Sequence, residues 1–230
     1  MRFLVISDTH GNLTKALEVY KALEGIDAII HLGDYIKDAE ELGEQLNVDV
    51  IAVKGNMDGS YDDNDYKILE TECGKLYLSH GHMEDVKMKL TNIYYRAMEK
   101  DCVAALFGHT HKAVFEDLNG MYLINPGSLS HPADGSKGTY FILETSKEGL
   151  KGFIRHHENL ALDTASASKV AEAATAQIAG AKAAQIAEAK TVATAEAKPA
   201  TTTETKTKST ANSKVQGGYL RGLLNYSDRF

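Results

Sequence analysis

The chain has little cysteine. Cys73 and Cys102 stand far apart, with no CxxC pair. This excludes a disulfide framework, leaves no thiolate cluster for a metal, and suits a reducing, cytoplasmic setting. Long apolar runs are also missing. The opening Met1-Arg2-Phe3-Leu4-Val5-Ile6-Ser7-Asp8 is too short for a signal peptide, and no stretch approaches the ~20 apolar residues that span a bilayer. Basic charge is scarce in the first part of the chain. Residues 1–160 hold sixteen Lys+Arg against twenty-six Asp+Glu, net −10, while residues 161–230 are net +3. An acidic body argues against nucleic acid as a partner and suits a site whose positive charge arrives as bound cations.

What is present is enough for one good-sized core: 230 residues, 43% of them hydrophobic. Arg2 to Ser7 reads as a buried strand and Asp8-Thr9-His10-Gly11-Asn12 as the loop leaving it. Asn12 is then placed to cap a helix whose apolar face is Leu13, Ala16, Leu17, Tyr20 and Leu23. A second strand, Ile26 to Leu32, ends at Gly33-Asp34. A helix follows from Asp38 to Leu46, then a strand from Val48 to Lys54 that ends at Gly55-Asn56-Met57-Asp58. This alternation predicts a parallel sheet covered on both faces.

After a polar loop, Tyr61 to Asp65, the runs Tyr66 to Glu72 and Lys75 to Ser79 read as a hairpin about Cys73-Gly74, ending at His80-Gly81-His82. A helix with Val86, Leu90, Ile93 and Ala97 on one face leads to the strand Cys102 to Phe107 and the loop Gly108-His109-Thr110-His111. Ala113 to Leu118 and Met121 to Asn125 flank Asn119-Gly120, a tight-turn signal, and Asn125-Pro126-Gly127-Ser128 makes a rigid turn. Thr139 to Glu144 and Leu150 to His156 form a last antiparallel pair, so the globular domain is expected to be 1–160.

From 161 to 216 the chain turns to Ala, Thr, Lys, Ser and Glu with no aromatic residue. Such a linker has almost nothing to bury and is read as disordered or partly helical. Residues 217–230 bring back Tyr219, Leu220, Leu223, Leu224, Tyr226 and Phe230. An apolar peptide after a solvated linker has the arrangement of a docking tag for a protein partner; a tail folded back on the domain is the alternative.

Chemistry concentrates at strand ends: Asp8 and His10, Asp34, Asn56, His80, His109 and His111. In open α/β sheets ligands bind at the carboxyl ends of strands, so these side chains are expected to converge. Oxygen and imidazole donors without thiolate suit Mn²⁺, Zn²⁺, Fe or Ni²⁺, and seven donors suit two ions better than one.

In order and spacing, Asp8-x-His10, Gly33-Asp34, Gly55-Asn56, His80 and Gly108-His109-Thr110-His111 resemble the calcineurin-like metallophosphoesterases, particularly their small bacterial and archaeal phosphodiesterase branch. The turn at Asn125 to Ser128 also looks like that branch. The resemblance covers about residues 1–157 and leaves the tail outside. It implies a four-layer α/β/β/α sandwich and a dinuclear site. Asp8, His10 and His111 would hold one metal and Asn56, His80 and His109 the other, with Asp34 as the bridge. The implied reaction is phosphodiester hydrolysis by a metal-bridging hydroxide, with Mn²⁺ as the favoured ion and a small phosphoester as substrate. His109 and His111 are expected to sit on an extended segment and point the same way, one toward each ion.

The sequence departs from that family at Met57, where many relatives carry a histidine thought to assist the leaving group. A thioether donates no proton, so aryl esters and diesters with good leaving groups are expected substrates. His82 is a candidate to take part of that role. His31 reads as a core histidine, and His131, His156 and His157 as surface residues. Asp58 reads as a loop carboxylate, and Asp62, Asp63 and Asp65 as a solvated loop without EF-hand spacing. The branch also resembles the retromer subunit, so a protein-binding scaffold on the same fold is the rival reading.

Overall fold

Alternation along the first strand decides the layering. The computed structural model describes residues 1–59 and 66–161. In β1 (Arg2–Ile6), Phe3 and Val5 enter one buried cluster while Leu4 and Ile6 enter another. Period two along a strand sends successive side chains to opposite faces, so β1 has a core on each side. It lies mid-sheet, in the order β10-β9-β1-β2-β3, with β2 (Ala28–His31), β3 (Val50–Ala52), β9 (Thr139–Ser146) and β10 (Gly149–His156). The outer cluster of this sheet is closed by α1 (Thr14–Ala22) and α2 (Ile36–Leu46), through Ala16, Val19 and Leu42.

The second sheet runs β4-β5-β6-β8-β7, from β4 (Tyr66–Thr71), β5 (Gly74–Ser79), β6 (Cys102–Leu106), β7 (Ala113–Leu118) and β8 (Met121–Pro126). Its Leu76, Leu78, Ala104, Leu106 and Ile124 pack with Phe3, Val5, Ile30, Phe141 and Leu143 of the first sheet in a shared core. On its other face Tyr77, Ala105 and Leu123 meet Ile93 and Ala97 of α3 (Thr91–Glu99). The result is the expected four-layer α/β/β/α sandwich. Each fully buried Leu, Ile or Phe contributes roughly 1.5–3 kcal/mol, so the apposed sheets make a rigid platform.

Three expectations change. The first sheet is mixed: β1, β2 and β3 are parallel, but β9 pairs antiparallel with β1 and with β10. Regular helix α3 starts only at Thr91. Val86 and Leu90 precede it in turns, because Asp85 takes φ 54° and Gly81 O accepts the amides of both Glu84 and Val86. Asn12 stands one residue before the α1 cap position, Leu13, and accepts the Thr14 amide at 3.2 Å. The loop 61–65, the linker from 162 onward and the 217–230 peptide lie outside the described residues. Among the described residues no helix is long and apolar enough to cross a membrane.

Candidate metal centre

Strand direction gathers the site. β1, β2 and β3 are parallel, as are β5, β6 and β8, so the loops leaving them can share one edge of the sandwich. Asp8 and His10 follow β1, Asp34 follows β2, Asn56 follows β3, His80 follows β5, and His109 and His111 follow β6. Donor atoms of Asp8, His10, Asp34 and His111 all lie within 4.8 Å of one another. His80 Nε2 is 3.3 Å from Asp34 Oδ1, 3.1 Å from Asn56 Oδ1 and 3.9 Å from Asp8 Oδ1. The His109 ring centroid lies 5.0 Å from that of His80. All seven residues singled out in the sequence thus meet at one place.

The loops reach this place through unusual backbone. Asp8, His10, Asp34, His109 and His111 have φ of 55°, 48°, 58°, 65° and 56°, all left-handed. Each such non-glycine residue costs roughly 1–2 kcal/mol, so the surrounding bonds must hold it. The segment Gly108 to His111 is therefore not extended, and the expected common direction of its two histidines does not follow from strand alternation. The rings part instead. His109 packs beside His80, whereas His111 Nε2 lies 3.4 Å from His10 Nε2 and 3.2 Å from Asp8 Oδ1. Two glycines permit the approach: a Cβ on Gly108 would strike Ser7 Oγ and come within 2.8 Å of Asp8 Oδ2, and one on Gly55 would strike Asp34 Oδ1.

Proton accounting shows which atoms face the centre. A backbone carbonyl only accepts, so His80 Nδ1–H donates to Leu32 O at 2.7 Å and His111 Nδ1–H donates to His131 O at 2.7 Å. In the neutral rings both Nε2 atoms are left as lone-pair donors, the arrangement that metal-ligating histidines use. Asp8 Oδ2 accepts from Ser7 Oγ at 2.6 Å and from the His109 amide at 3.0 Å, whereas among the described residues buried Asp8 Oδ1 accepts no other donor and faces His111 Nε2 at 3.2 Å. Asp34 Oδ1 accepts the Met57 amide at 3.0 Å and faces His80, and its Oδ2 lies 3.7 Å from His10 Nε2. Lone pairs of nitrogen and oxygen thus point at one another, an arrangement that divalent cations satisfy. The donor set fits them.

Electrostatics follow this layout. Burial would raise the Asp8 carboxyl, but His111, His80 and Ser7 outweigh it and hold it below its ordinary range. His111 is raised by the Asp8 carboxylate against the opposing effect of burial. His10 is lowered by burial, which the charges of Asp34 and Asp8 only partly offset. Burial and then the neighbouring His80 push His109 down to about 4.

Other residues were placed differently or were not foreseen. His82, half-buried, has its ring 5.4 Å from His80 and 6.1 Å from His109. Met57 is 56% exposed, and its amide donates to Asp34 Oδ1. His131, read as a surface residue, is exposed but stands with its ring 5.0 Å from His10, and its carbonyl orients His111. His156 and His157 are half-buried, and His157 pairs with Glu18 at 2.8 Å. Asp58 accepts the amides of Ile36 at 2.7 Å and Gly55 at 2.8 Å, tying the third loop to the start of α2. This long-range cap explains why α2 begins at Ile36, ahead of the expected Asp38.

Sequence reasoning gave no site role to Asn125, Ser128 or Glu84. Asn125 Nδ2 donates to Gly108 O at 2.8 Å, and Ser128 Oγ donates to Asp8 O at 2.9 Å. The rigid turn after β8 is thus a brace for two ligand loops, and its polar residues next to Pro-Gly were the one local signal. Buried Glu84 accepts from Tyr77 OH, Ser79 Oγ and Arg96 Nη1 at 2.9, 2.9 and 3.2 Å, anchoring the loop beyond His80.

Residues 1–148 match the family model of the calcineurin-like phosphoesterase superfamily domain. A Bacillus subtilis protein named as a probable metallophosphoesterase is 37% identical over 144 residues, covering 62% of this chain and 83% of its own. A Methanocaldococcus jannaschii phosphodiesterase is 31% identical over 174 residues, covering 67% and 99%. Among solved structures, Entamoeba histolytica Vps29 complexed with Zn²⁺ aligns with a TM-score of 0.55 at 20% identity, over 68% of this chain and 99% of that one. At that identity the likeness is one of fold.

Proposed function

Because the chain belongs to the calcineurin-like phosphoesterase superfamily, we propose that it is a metal-dependent phosphodiesterase that holds two divalent cations at the shared edge of its sheets. Asp8, His10 and His111 take one ion, Asn56, His80 and His109 the other, and Asp34 serves both. Mn²⁺ is the favoured ion, with Ni²⁺, Zn²⁺ or Fe as substitutes that the same mixed oxygen and nitrogen donors accept. When bound, such a pair supplies Lewis acidity to phosphoryl oxygens and makes water nucleophilic at neutral pH.

The residues themselves do the positioning. Asp34 faces His80 Nε2 with Oδ1 at 3.3 Å and His10 Nε2 with Oδ2 at 3.7 Å, and this is the observation that carries the reading. The carbonyls of Leu32 and His131 hold the rings of His80 and His111 with Nε2 inward. Beside the His80 and His109 rings, His82 is the side chain proposed to pass a proton to the leaving group. Met57 brings none, so diesters with good leaving groups, aryl ones first, are the favoured substrates. Two unpaired cysteines support a reducing, cytoplasmic location. The complete donor set supports an enzyme over a protein-binding scaffold.

The test is hydrolysis of an aryl phosphodiester by chelator-treated protein with and without Mn²⁺, beside Asp34→Asn. Metal-dependent turnover lost in the variant is expected. No metal-dependent turnover, or a variant equal to wild type, moves the reading to the scaffold.

A further inference from the structure

We infer that Thr9, His31 and Asp38 form a buried relay that positions the Asp8–His10 loop against the Asp34 loop and so sets the pairing of the two cation sites. The inference rests on the proposed function and concerns residues outside its ligand sets.

The protons in this cluster can be assigned one by one. Asp38 Oδ2 accepts the Gly11 amide at 2.8 Å and the Thr9 hydroxyl at 2.6 Å. A hydroxyl has one proton, and Thr9 spends it on Asp38. The 2.9 Å contact between Thr9 Oγ1 and His31 Nε2 must therefore be donated by the ring. His31 Nδ1 is then a bare acceptor, and it takes the Gly33 amide at 3.3 Å. Every donor points the same way, from Gly33 through His31 and Thr9 to Asp38.

The ends of this chain of bonds matter more than its middle. It begins at the amide of Gly33, directly before Asp34. It finishes on a carboxylate that also grips Gly11, directly after His10. Thr9 stands between Asp8 and His10, and the Asp8 amide donates back to Gly33 O at 3.1 Å. Three candidate ligands with left-handed backbone, Asp8, His10 and Asp34, are thus tied by one circuit. Thr9 and His31 are fully buried and Asp38 nearly so. Water does not compete there, and bonds in a low dielectric are stiff and costly to break. A core position in β2 needs no imidazole to pack; apolar Ile29 and Ile30 fill the same strand without one. From β2 and α2 the relay reaches the amides of Gly33 and Gly11, each next to a candidate ligand, which marks it as a device for the site.

Titrating Mn²⁺ into wild type, Thr9→Val and Thr9→Ser by calorimetry tests this, with melting curves on each. Valine keeps the shape and removes the hydroxyl; serine keeps the hydroxyl. The expected result is a loss of Mn²⁺ affinity of about ten- to a hundredfold in Thr9→Val, the range for groups that orient ligands, and recovery in Thr9→Ser. Valine binding like wild type, or a loss that serine does not restore, overturns the relay alone. Wild type that binds no Mn²⁺ overturns the proposed function and the relay with it. Should Thr9→Val fail to fold, ¹⁵N spectra of wild-type His31 at neutral pH decide: the Nε2–H tautomer is expected, and Nδ1–H overturns the relay.

Discussion

Asp8 and His111 are 103 residues apart in sequence, yet Asp8 Oδ1 lies 3.2 Å from His111 Nε2. The carboxylate's other oxygen is already occupied by Ser7 and the His109 amide, and the ring's other nitrogen by the His131 carbonyl. Each partner is oriented from behind, so the facing atoms are aimed before any ligand arrives. Preorganisation of this kind makes the consequences of single substitutions predictable.

Asp34→Asn replaces one oxygen facing the imidazoles with an amide that cannot serve two cations. Mn²⁺ stoichiometry by equilibrium dialysis is expected to fall below that of wild type. Diesterase activity should drop by more than about a hundredfold, beyond what loss of an orienting group alone produces. Full stoichiometry in the variant would remove Asp34 from the bridging position.

Met57→His puts an imidazole at an exposed position next to Asn56. A positioned acid or base contributes roughly 10²-fold or more, and one added without its own supports should give less. The expected outcome is a gain of about tenfold in the ratio of alkyl monoester to aryl diester turnover. An unchanged ratio would show that the leaving group departs elsewhere.

Gly108→Ala adds a Cβ where Ser7 Oγ and Asp8 Oδ2 already stand. Overpacking of this kind costs about 1–3 kcal/mol, and at this size each kcal/mol lowers Tm by roughly 2–4 °C. Asp8 must also shift, so Mn²⁺ binding should weaken alongside the lowered Tm. A variant that melts lower but binds Mn²⁺ as wild type does would show that the loop gives way without moving Asp8.

Acid stability should report on His31. Burial lowers its pKa from 6.5 to about 4. Between those values the unfolded chain binds a proton that the folded chain does not, so stability is full above 6.5 and declines as pH falls toward 4. Below about 4 both states are protonated and this loss stops. One such group gives a slope of up to about 1.4 kcal/mol per pH unit. His109, also lowered to about 4, adds in the same direction. Urea unfolding of chelator-treated protein across that range checks the slope, which His31→Gln should make shallower.

Much of the fold was legible because its signals are local. Period-two and 3.6-residue patterns in 1–54, the Asn119-Gly120 turn and the final antiparallel pair each lie within a dozen residues of what they specify. The site was legible in a different way, as residue types at strand ends. His31 was readable as a core residue from its place inside an apolar strand. What escaped among these is held by distant partners: the start of α2, capped by Asp58 from another loop, and His131, brought beside His10 by the turn after β8.

By itself the sequence determined the inventory: seven oxygen and imidazole donors, each placed at the end of a strand, with a methionine, Met57, directly after Asn56. Only the tertiary structure decided how they are used. Left-handed backbone at His109 and His111, and hydrogen bonds to the loop from Asn125 and His131, set Gly108 to His111 so that its two histidines part, while Leu32 holds the His80 ring and Ser128 the Asp8 backbone. Composition and spacing carry no record of those bonds, because each joins segments that lie apart in the sequence and meet only in the folded chain.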